Sequence, residues 1–77
     1  MITEESFKIV VLEVFKSFND EITLNMSPDN IEEWDSIGHL NLIMAVEKKY
    51  NIKIEFEEAI MIDNLLSLFN LINEKIS

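Results

Sequence analysis

Glycine and proline are almost absent from this chain, and their scarcity limits the folds that it can adopt. The chain has one glycine, Gly38, and one proline, Pro28, among 77 residues. Turn-rich β folds and disordered segments both use these residues far more often. The chain also lacks cysteine, so no disulfide stabilises it and no thiolate can bind a metal. We therefore expect a single domain, residues 1–77, that is held together by apolar packing.

The charge balance restricts the partners of the protein. Fifteen acidic residues face six lysines and no arginine, which gives a net charge of −9. Such a chain is repelled by nucleic acids and by anionic membranes, and it favours partners with basic surfaces. No apolar run approaches the roughly 20 residues that span a bilayer. The first residues lack the pattern of a secretion signal, so we expect a cytoplasmic location.

Apolar residues at helical spacing predict an all-α fold with three main helices and one short helix. We expect the first helix to run from Glu4 to about Phe18 and the second from Ser36 to about Tyr50. The short helix is expected between Glu57 and Ile62, and the last helix ends at about Lys75. Residues 19–35 have no such periodicity and are predicted to form a long ordered loop.

Several residues are expected to fix the helix ends and the loop. Thr3 and Asp35 are predicted N-caps, and either Asp63 or Asn64 caps the last helix. Asn51 is expected to end the second helix. The loop is expected to be anchored by Leu24, Met26, Ile31 and Trp34. The alternation over residues 52–56 resembles a strand, but without a partner strand an extended linker is the better prediction.

The second helix is expected to bury a broad apolar face. One predicted line along it contains Ile37, Leu40, Met44 and Glu47. The apolar residues that widen this face are Leu42, Ile43, Val46 and Tyr50.

The residues Asp35 and Ser36 themselves leave two interpretations open. Both are preferred capping residues, so ordinary capping of the helix explains the pair. Alternatively, Ser36 is an attachment point for a phosphodiester, which the positive end of a helix stabilises. Asp35 would then hold a divalent cation that bridges to the phosphates of an incoming donor.

The pattern around this pair resembles that of the acyl carrier protein family. That family has an aspartate-serine-aliphatic motif and then an amphipathic helix, which residues 35–37 and 42–47 match here. Other positions that fall where the family has them are Tyr50, Ile52, Ile54, Glu57, Glu58, Ala59 and Ile62. The resemblance extends over nearly the whole chain and includes its length, its acidity and the order of its helices.

The resemblance implies a carrier without catalytic activity of its own, folded as an acyl-carrier-like four-helix bundle. A phosphopantetheinyl transferase would attach 4′-phosphopantetheine from coenzyme A to Ser36 and would recognise Asp35. Acyl intermediates of fatty acid, polyketide or related specialised synthesis would be carried as thioesters on this arm. Loading ligases and synthase enzymes would be the further partners, and the family is usually monomeric. No resident metal is expected, since His39 is the only histidine.

Members of the family also fold the acyl chain into the interior of the bundle. The positions that resemble that lining are Met44, Val46, Ile54, Ala59 and Ile62. An ordinary core would use the same residues, so both interpretations apply to them.

The chain departs from the carriers of fatty acid synthesis on the exposed face of the second helix. Gly38 and Asn41 occupy positions that are usually acidic there, and Lys48 and Lys49 follow. This difference favours a specialised stand-alone carrier. The residues predicted to contact a partner are Trp34, Ile37, His39, Asn41, Glu47, Ile60 and Met61. Trp34 is also expected as a loop anchor, and Ile60 and Met61 would be core if the short helix were rotated.

Two alternatives to the acyl carrier remain open. An aminoacyl or D-alanyl carrier uses the same serine and arm with a different loading enzyme. An unmodified helical interaction module would use Asp35 and Ser36 only as a helix cap.

Overall fold

The computed structural model describes residues 1–76, which form four helices and no β-strand. Helix α1 spans Glu4–Val14, α2 spans Ser36–Tyr50, α3 spans Phe56–Ile60 and α4 spans Leu65–Ile76. The predicted all-α class and the order of three main helices and one short helix are confirmed. None of these four helices is both long and apolar enough to cross a bilayer.

Capping side chains set the starts of α1 and α4. The Thr3 hydroxyl oxygen accepts a hydrogen bond from the Ser6 amide at 3.2 Å. The Asn64 side-chain oxygen accepts one from the Ser67 amide at 2.8 Å, so Asn64 rather than Asp63 caps α4. Each bond satisfies an amide that has no partner inside its own helix.

Helix α2 has the bounds predicted from the sequence. It ends at Asn51, which adopts a left-handed conformation with φ 54° and ψ 51°. Asparagine tolerates this conformation better than most residues, and it therefore ends helices in the way that glycine does.

The predicted end of α1 at Phe18 is wrong, because the helix ends at Val14. Phe15 leaves the helical conformation, with φ −103° and ψ 72°, and its ring is buried in the core. Two residues further on, the Ser17 amide donates to the Glu33 carboxylate at 2.9 Å. This tertiary contact takes an amide that a longer helix would use, and the loop therefore begins at residue 15.

Helix α3 is shorter than predicted and begins one residue earlier. Glu55 and Glu58 form a reciprocal capping box that sets its start at Phe56. Beyond Ile60 the chain continues as a turn, in which the Ile62 amide donates to the Ala59 carbonyl at 3.2 Å. No residue of α3 is fully buried.

The core is formed by the three long helices, by the loop that joins α1 to α2 and by Ile54 and Ile62 on either side of α3. Fifteen apolar residues are buried in it: Phe7, Val10, Val11, Phe15, Ile22, Ile31, Trp34, Leu42, Ile43, Val46, Ile54, Ile62, Leu65, Leu68 and Ile72. Burial of apolar area is the main stabilising contribution in a chain of this size.

The loop is pinned across the start of α4 by its backbone. The Leu66 amide donates to the Leu24 carbonyl at 2.7 Å, and the Leu65 amide donates to the Met26 carbonyl at 2.9 Å. These amides belong to the first turn of α4 and have no partner within that helix. The loop is therefore an ordered part of the fold and holds a fixed path to α2.

The predicted apolar line of α2 faces outward, which corrects the sequence prediction. Ile37, Leu40 and Met44 are 71%, 60% and 56% exposed, and we call these three residues the outer stripe. The buried face of α2 consists of Leu42, Ile43 and Val46 together with Gly38. Because α2 is apolar on two sides, periodicity alone cannot show which side packs on the core.

Replacing Leu68 with alanine is expected to lower the free energy of unfolding by about 2–5 kcal/mol, since the buried leucine leaves a cavity. Leu66→Ala is the matched control on the same helix, because Leu66 is 44% exposed, and it should cost about 1 kcal/mol or less. Urea denaturation followed by circular dichroism measures both. Equal losses would contradict the described packing of α4.

Candidate functional site

Ser36 is the first residue of α2 and is exposed to solvent. At this position the unpaired amides and the helix dipole of a 15-residue helix create a positive field. An anion that is attached to this side chain is stabilised by that field. The hydroxyl is thus both accessible and suited to bear a phosphate ester.

Asp35 caps the helix and is also exposed. Its side-chain oxygen accepts a hydrogen bond from the Gly38 amide at 2.8 Å, and its carbonyl accepts one from the His39 amide at 2.8 Å. A carboxylate has two oxygens with about four acceptor positions, so capping leaves acceptor capacity for a cation or a partner. The capping role is observed, and it is compatible with recognition by a modifying enzyme.

Gly38 is buried, although its position in the family pattern suggested an exposed face. A Cβ atom built on it would overlap the carbonyl oxygen of Glu33 and would lie 3.2 Å from the ring of Phe15. The backbone of the loop therefore rests directly on the first turn of α2. Only glycine permits this approach without displacement of the backbone.

His39 connects the loop to α3. Its Nδ1 lies 2.9 Å from the indole Nε1 of Trp34, and its Nε2 lies 2.9 Å from the carbonyl oxygen of Ala59. The imidazole and indole rings are nearly parallel, with centroids 6.1 Å apart. No sequence pattern indicates this bridge, since it joins residues that are five and twenty positions apart.

These contacts concern two of the residues predicted to contact a partner. Trp34 is only 2% exposed, so it anchors the loop and offers no surface for direct contact with a partner. His39 is part-buried, and both of its ring nitrogens are engaged within the molecule. The ring nitrogens of His39 therefore do not face solvent, and its predicted contact with a partner stays a prediction.

An apolar groove of about 700 Å³ lies beside Ser36, between α2 and α3. The residues that line it are Pro28, Trp34, Asp35, Ser36, His39, Leu40, Phe56, Ala59, Ile60 and Ile62. Its lining is mostly apolar, so it suits an aliphatic chain better than a charged ligand.

The residues predicted to line an acyl pocket divide into three groups. Ala59 and Ile62 border the groove. Val46 and Ile54 are buried in the core, away from the groove lining. Met44 belongs to the outer stripe and is exposed, so its predicted place in the interior is wrong.

The other predicted partner residues lie largely on the surface. Ile37, Asn41, Ile60 and Met61 are exposed. Glu47 is half-buried, and its carboxylate accepts a hydrogen bond from the Ile54 amide at 2.8 Å. It therefore holds the linker that precedes α3. Sequence reasoning missed two exposed apolar residues of this surface, namely Leu40 and Phe56.

Helix α3 is attached to α4 by an ion pair. The Lys75 ammonium lies 2.9 Å from the Glu58 carboxylate. Hydrogen bonds from Lys75 and from the Glu55 amide stabilise the charged form and lower the pKa of Glu58 below its ordinary value. The same carboxylate thus caps the start of α3 and ties this helix to α4.

Together these features define a small helical domain that presents one serine at the end of a helix, beside an apolar groove. No family model matches the chain. A curated relative, the acyl carrier protein of Petrotoga mobilis, is 30% identical over 73 residues, which cover 95% of this chain and 86% of the relative.

The comparison with solved structures gives the same result. The solution NMR structure of a holo acyl carrier protein from Geobacter metallireducens matches with a TM-score of 0.87 and 30% identity, covering 99% of this chain and 87% of that one. The chain therefore belongs to the acyl carrier protein family, whose members are carriers and not enzymes.

Gly38→Ala is expected to lower the free energy of unfolding by about 1–3 kcal/mol, because the new methyl group displaces the loop. Helix propensity alone predicts the opposite sign, a gain of about 1 kcal/mol or less. Asn41→Ala, at an exposed position of the same helix, should be neutral or slightly stabilising. Denaturation midpoints measure both variants, and a more stable Gly38→Ala protein would refute the close contact.

Lys75→Met is expected to raise the pKa of Glu58 toward its ordinary value, because the main hydrogen-bond donor is removed. In the native protein the lowered pKa adds stability above the pKa of the unfolded state, and that stability is lost as the pH falls through the folded-state pKa. A carbon-detected NMR titration of the Glu58 carboxyl group measures the shift. Lys53→Met, whose ammonium lies 3.8 Å from exposed Glu55, serves as the control and should leave Glu58 unchanged.

Proposed function

We propose that this chain carries acyl groups as thioesters on a 4′-phosphopantetheine arm that is attached to Ser36. The observation that carries the proposal is the exposed hydroxyl at the positive end of α2, directly beside the apolar groove. The holo form described for the Geobacter relative supports it. In this proposal residues 1–77 act as a single, monomeric carrier domain in the cytoplasm.

The residues around Ser36 fit a covalently attached phosphopantetheine group. The N-terminus of α2 stabilises the single negative charge of a phosphodiester less than it would the larger charge of a free phosphate, but with the same sign. The groove next to it has room for an apolar chain. The arm would supply the thiol that the cysteine-free chain lacks, and acyl groups would be bound to that thiol as thioesters.

The arm is attached by a substitution at phosphorus in which the hydroxyl group of Ser36 is the nucleophile. Its hydroxyl oxygen forms a bond to the pantetheine phosphorus of coenzyme A, and the pyrophosphate bond breaks to release adenosine 3′,5′-bisphosphate. The hydroxyl proton passes to a base of the phosphopantetheinyl transferase. Asp35, with acceptor capacity left after capping, would help to hold the magnesium ion of that reaction.

We propose further that loading and accepting enzymes contact the exposed apolar residues near Ser36. Ile37 follows Ser36 on α2 and is exposed, and Asn41 lies one turn further along that helix. Ile60 lines the groove, and Met61 beside it is also exposed. Exposed apolar residues in one region often mark a binding surface. The surface of α2 carries no acidic residue in its first turn, which supports a specialised stand-alone carrier for a fatty acid, polyketide or related pathway.

The intact mass of the protein after incubation with coenzyme A, magnesium and a broad-specificity phosphopantetheinyl transferase tests this proposal. We expect the native chain to gain one phosphopantetheine and Ser36→Ala to gain none. Ser17→Ala is the matched control, since it removes another exposed hydroxyl and should be modified normally.

An unmodified native chain would contradict the proposal, provided that a known carrier is modified in the same reaction. The chain would then act as a helical interaction module in which Asp35 and Ser36 serve only as a cap. Modification of Ser36→Ala would instead show that the arm is attached elsewhere.

A further inference from the structure

The bridge through His39 links three parts of the molecule at one point. The Trp34 indole belongs to the loop, His39 belongs to the second turn of α2, and the Ala59 carbonyl belongs to α3. Both hydrogen bonds are 2.9 Å long. The carbonyl of Ala59 is near the end of α3 and also accepts a hydrogen bond from the Ile62 amide at 3.2 Å, in the turn that follows the helix.

The geometry determines the protonation state of His39. An indole nitrogen only donates a hydrogen bond, so Nδ1 of His39 must accept and must carry no proton. A carbonyl oxygen only accepts, so Nε2 must carry the proton and donate it to Ala59. The bridge is therefore complete only while the imidazole is neutral and protonated at Nε2.

Helix α3 depends on few contacts of this kind. It has five residues, none of them fully buried, and a further polar tie is the ion pair between Lys75 and Glu58. Its apolar contacts are those of Ala59, which packs against the core, and of Ile54 and Ile62, which are buried on either side of the helix. Elements with little buried apolar surface open locally at low free-energy cost. Phe56, Ala59 and Ile60 of this helix also form one wall of the groove beside Ser36.

We propose that the Trp34–His39–Ala59 bridge is a proton-sensitive clasp, which holds α3 against α2 while His39 is neutral and releases it when His39 is protonated. A doubly protonated imidazole has two donors, and its Nδ1–H would face the Nε1–H of Trp34. The indole is 2% exposed and would be left as a buried donor without an acceptor. The ring must then move away, which also withdraws Nε2 from Ala59 and widens the groove.

The carboxylates next to the bridge are held by other donors. Glu33 in the loop accepts from the Ser17 amide, Asp35 accepts from the Gly38 amide, and Glu58 on α3 is paired with Lys75. The other acidic residues of this region, Asp29, Glu55 and Glu57, are exposed, where water and salt screen their charges. Of the three groups in the bridge only the imidazole of His39 can take up a proton, and imidazole is the side chain that proteins use as a proton switch near neutral pH.

Nuclear magnetic resonance on the unmodified protein tests the clasp in two ways. A long-range nitrogen–proton spectrum at about pH 7.5 should show His39 protonated at Nε2 alone. Hydrogen exchange should be measured at the amides of Ala59, Met61 and Ile62, which are bonded within α3 and its following turn. After correction for the intrinsic exchange rate, we expect hydrogen exchange at these amides to be about tenfold faster at about pH 5.5 than at about pH 7.5. The amides of α4 serve as the internal reference.

Two variants isolate the cause of this change. Trp34→Phe removes the indole N–H that would oppose the Nδ1–H of a protonated His39, while His39 can still bind the Ala59 carbonyl. Hydrogen exchange at the α3 amides should therefore lose its dependence on pH. His39→Phe removes both bonds, so exchange in α3 should be fast at both pH values. If Trp34→Phe does not fold, the comparison between the native protein and His39→Phe still tests the clasp.

The proposal is overturned by a His39 that is protonated at Nδ1 near neutral pH. It is also overturned if hydrogen exchange at the α3 amides of His39→Phe depends on pH as it does in the native protein. A native protein whose α3 amides exchange independently of pH would overturn it as well. None of these outcomes bears on attachment at Ser36, because the arm is absent from the experiment.

Discussion

The contact between Gly38 and the carbonyl of Glu33 determines where the other residues of the site lie. Because Gly38 has no side chain, the end of the loop rests directly on the first turn of α2. Trp34 is then buried in the core, and Asp35 follows as the helix cap. Ser36 emerges as the first helical residue with an exposed side chain. Its position is thus fixed by packing of the backbone, although it stands at the end of a long loop.

The molecule combines a well-packed core of three long helices and a loop with one short helix, α3, that has no fully buried residue. The three long helices and the loop share a continuous apolar core. Helix α3 contributes no fully buried residue; it is held by polar contacts through His39 and Lys75 and by Ile54 and Ile62, which are buried on either side of it. The apolar groove lies between these two parts, next to Ser36. In the proposed function, this division would allow the attachment point to keep its position while the groove beside it opens around a cargo.

The sequence predicted features that local chemistry fixes and missed those that depend on distant contacts. The bounds of α2 follow from Asp35 and Asn51, which cap its two ends. The end of α1 could not be predicted in this way, because the amide of Ser17 is taken by a carboxylate sixteen residues away. The outer stripe was predicted as part of the buried face of α2, although Ile37 was also predicted to contact a partner, because periodicity finds an apolar line without showing what covers it. The role of His39 depends on an α3 carbonyl twenty residues further along the chain.

The most direct test of the account is the mass of the Ser36 peptide from protein purified from the cells that make it. If the chain is an acyl carrier, this peptide carries phosphopantetheine, and part of it carries an acyl group that hydroxylamine releases as expected for a thioester. The mass of the acyl group would also name the cargo. A Ser36 peptide without any modification in cells that use the protein would contradict the central claim.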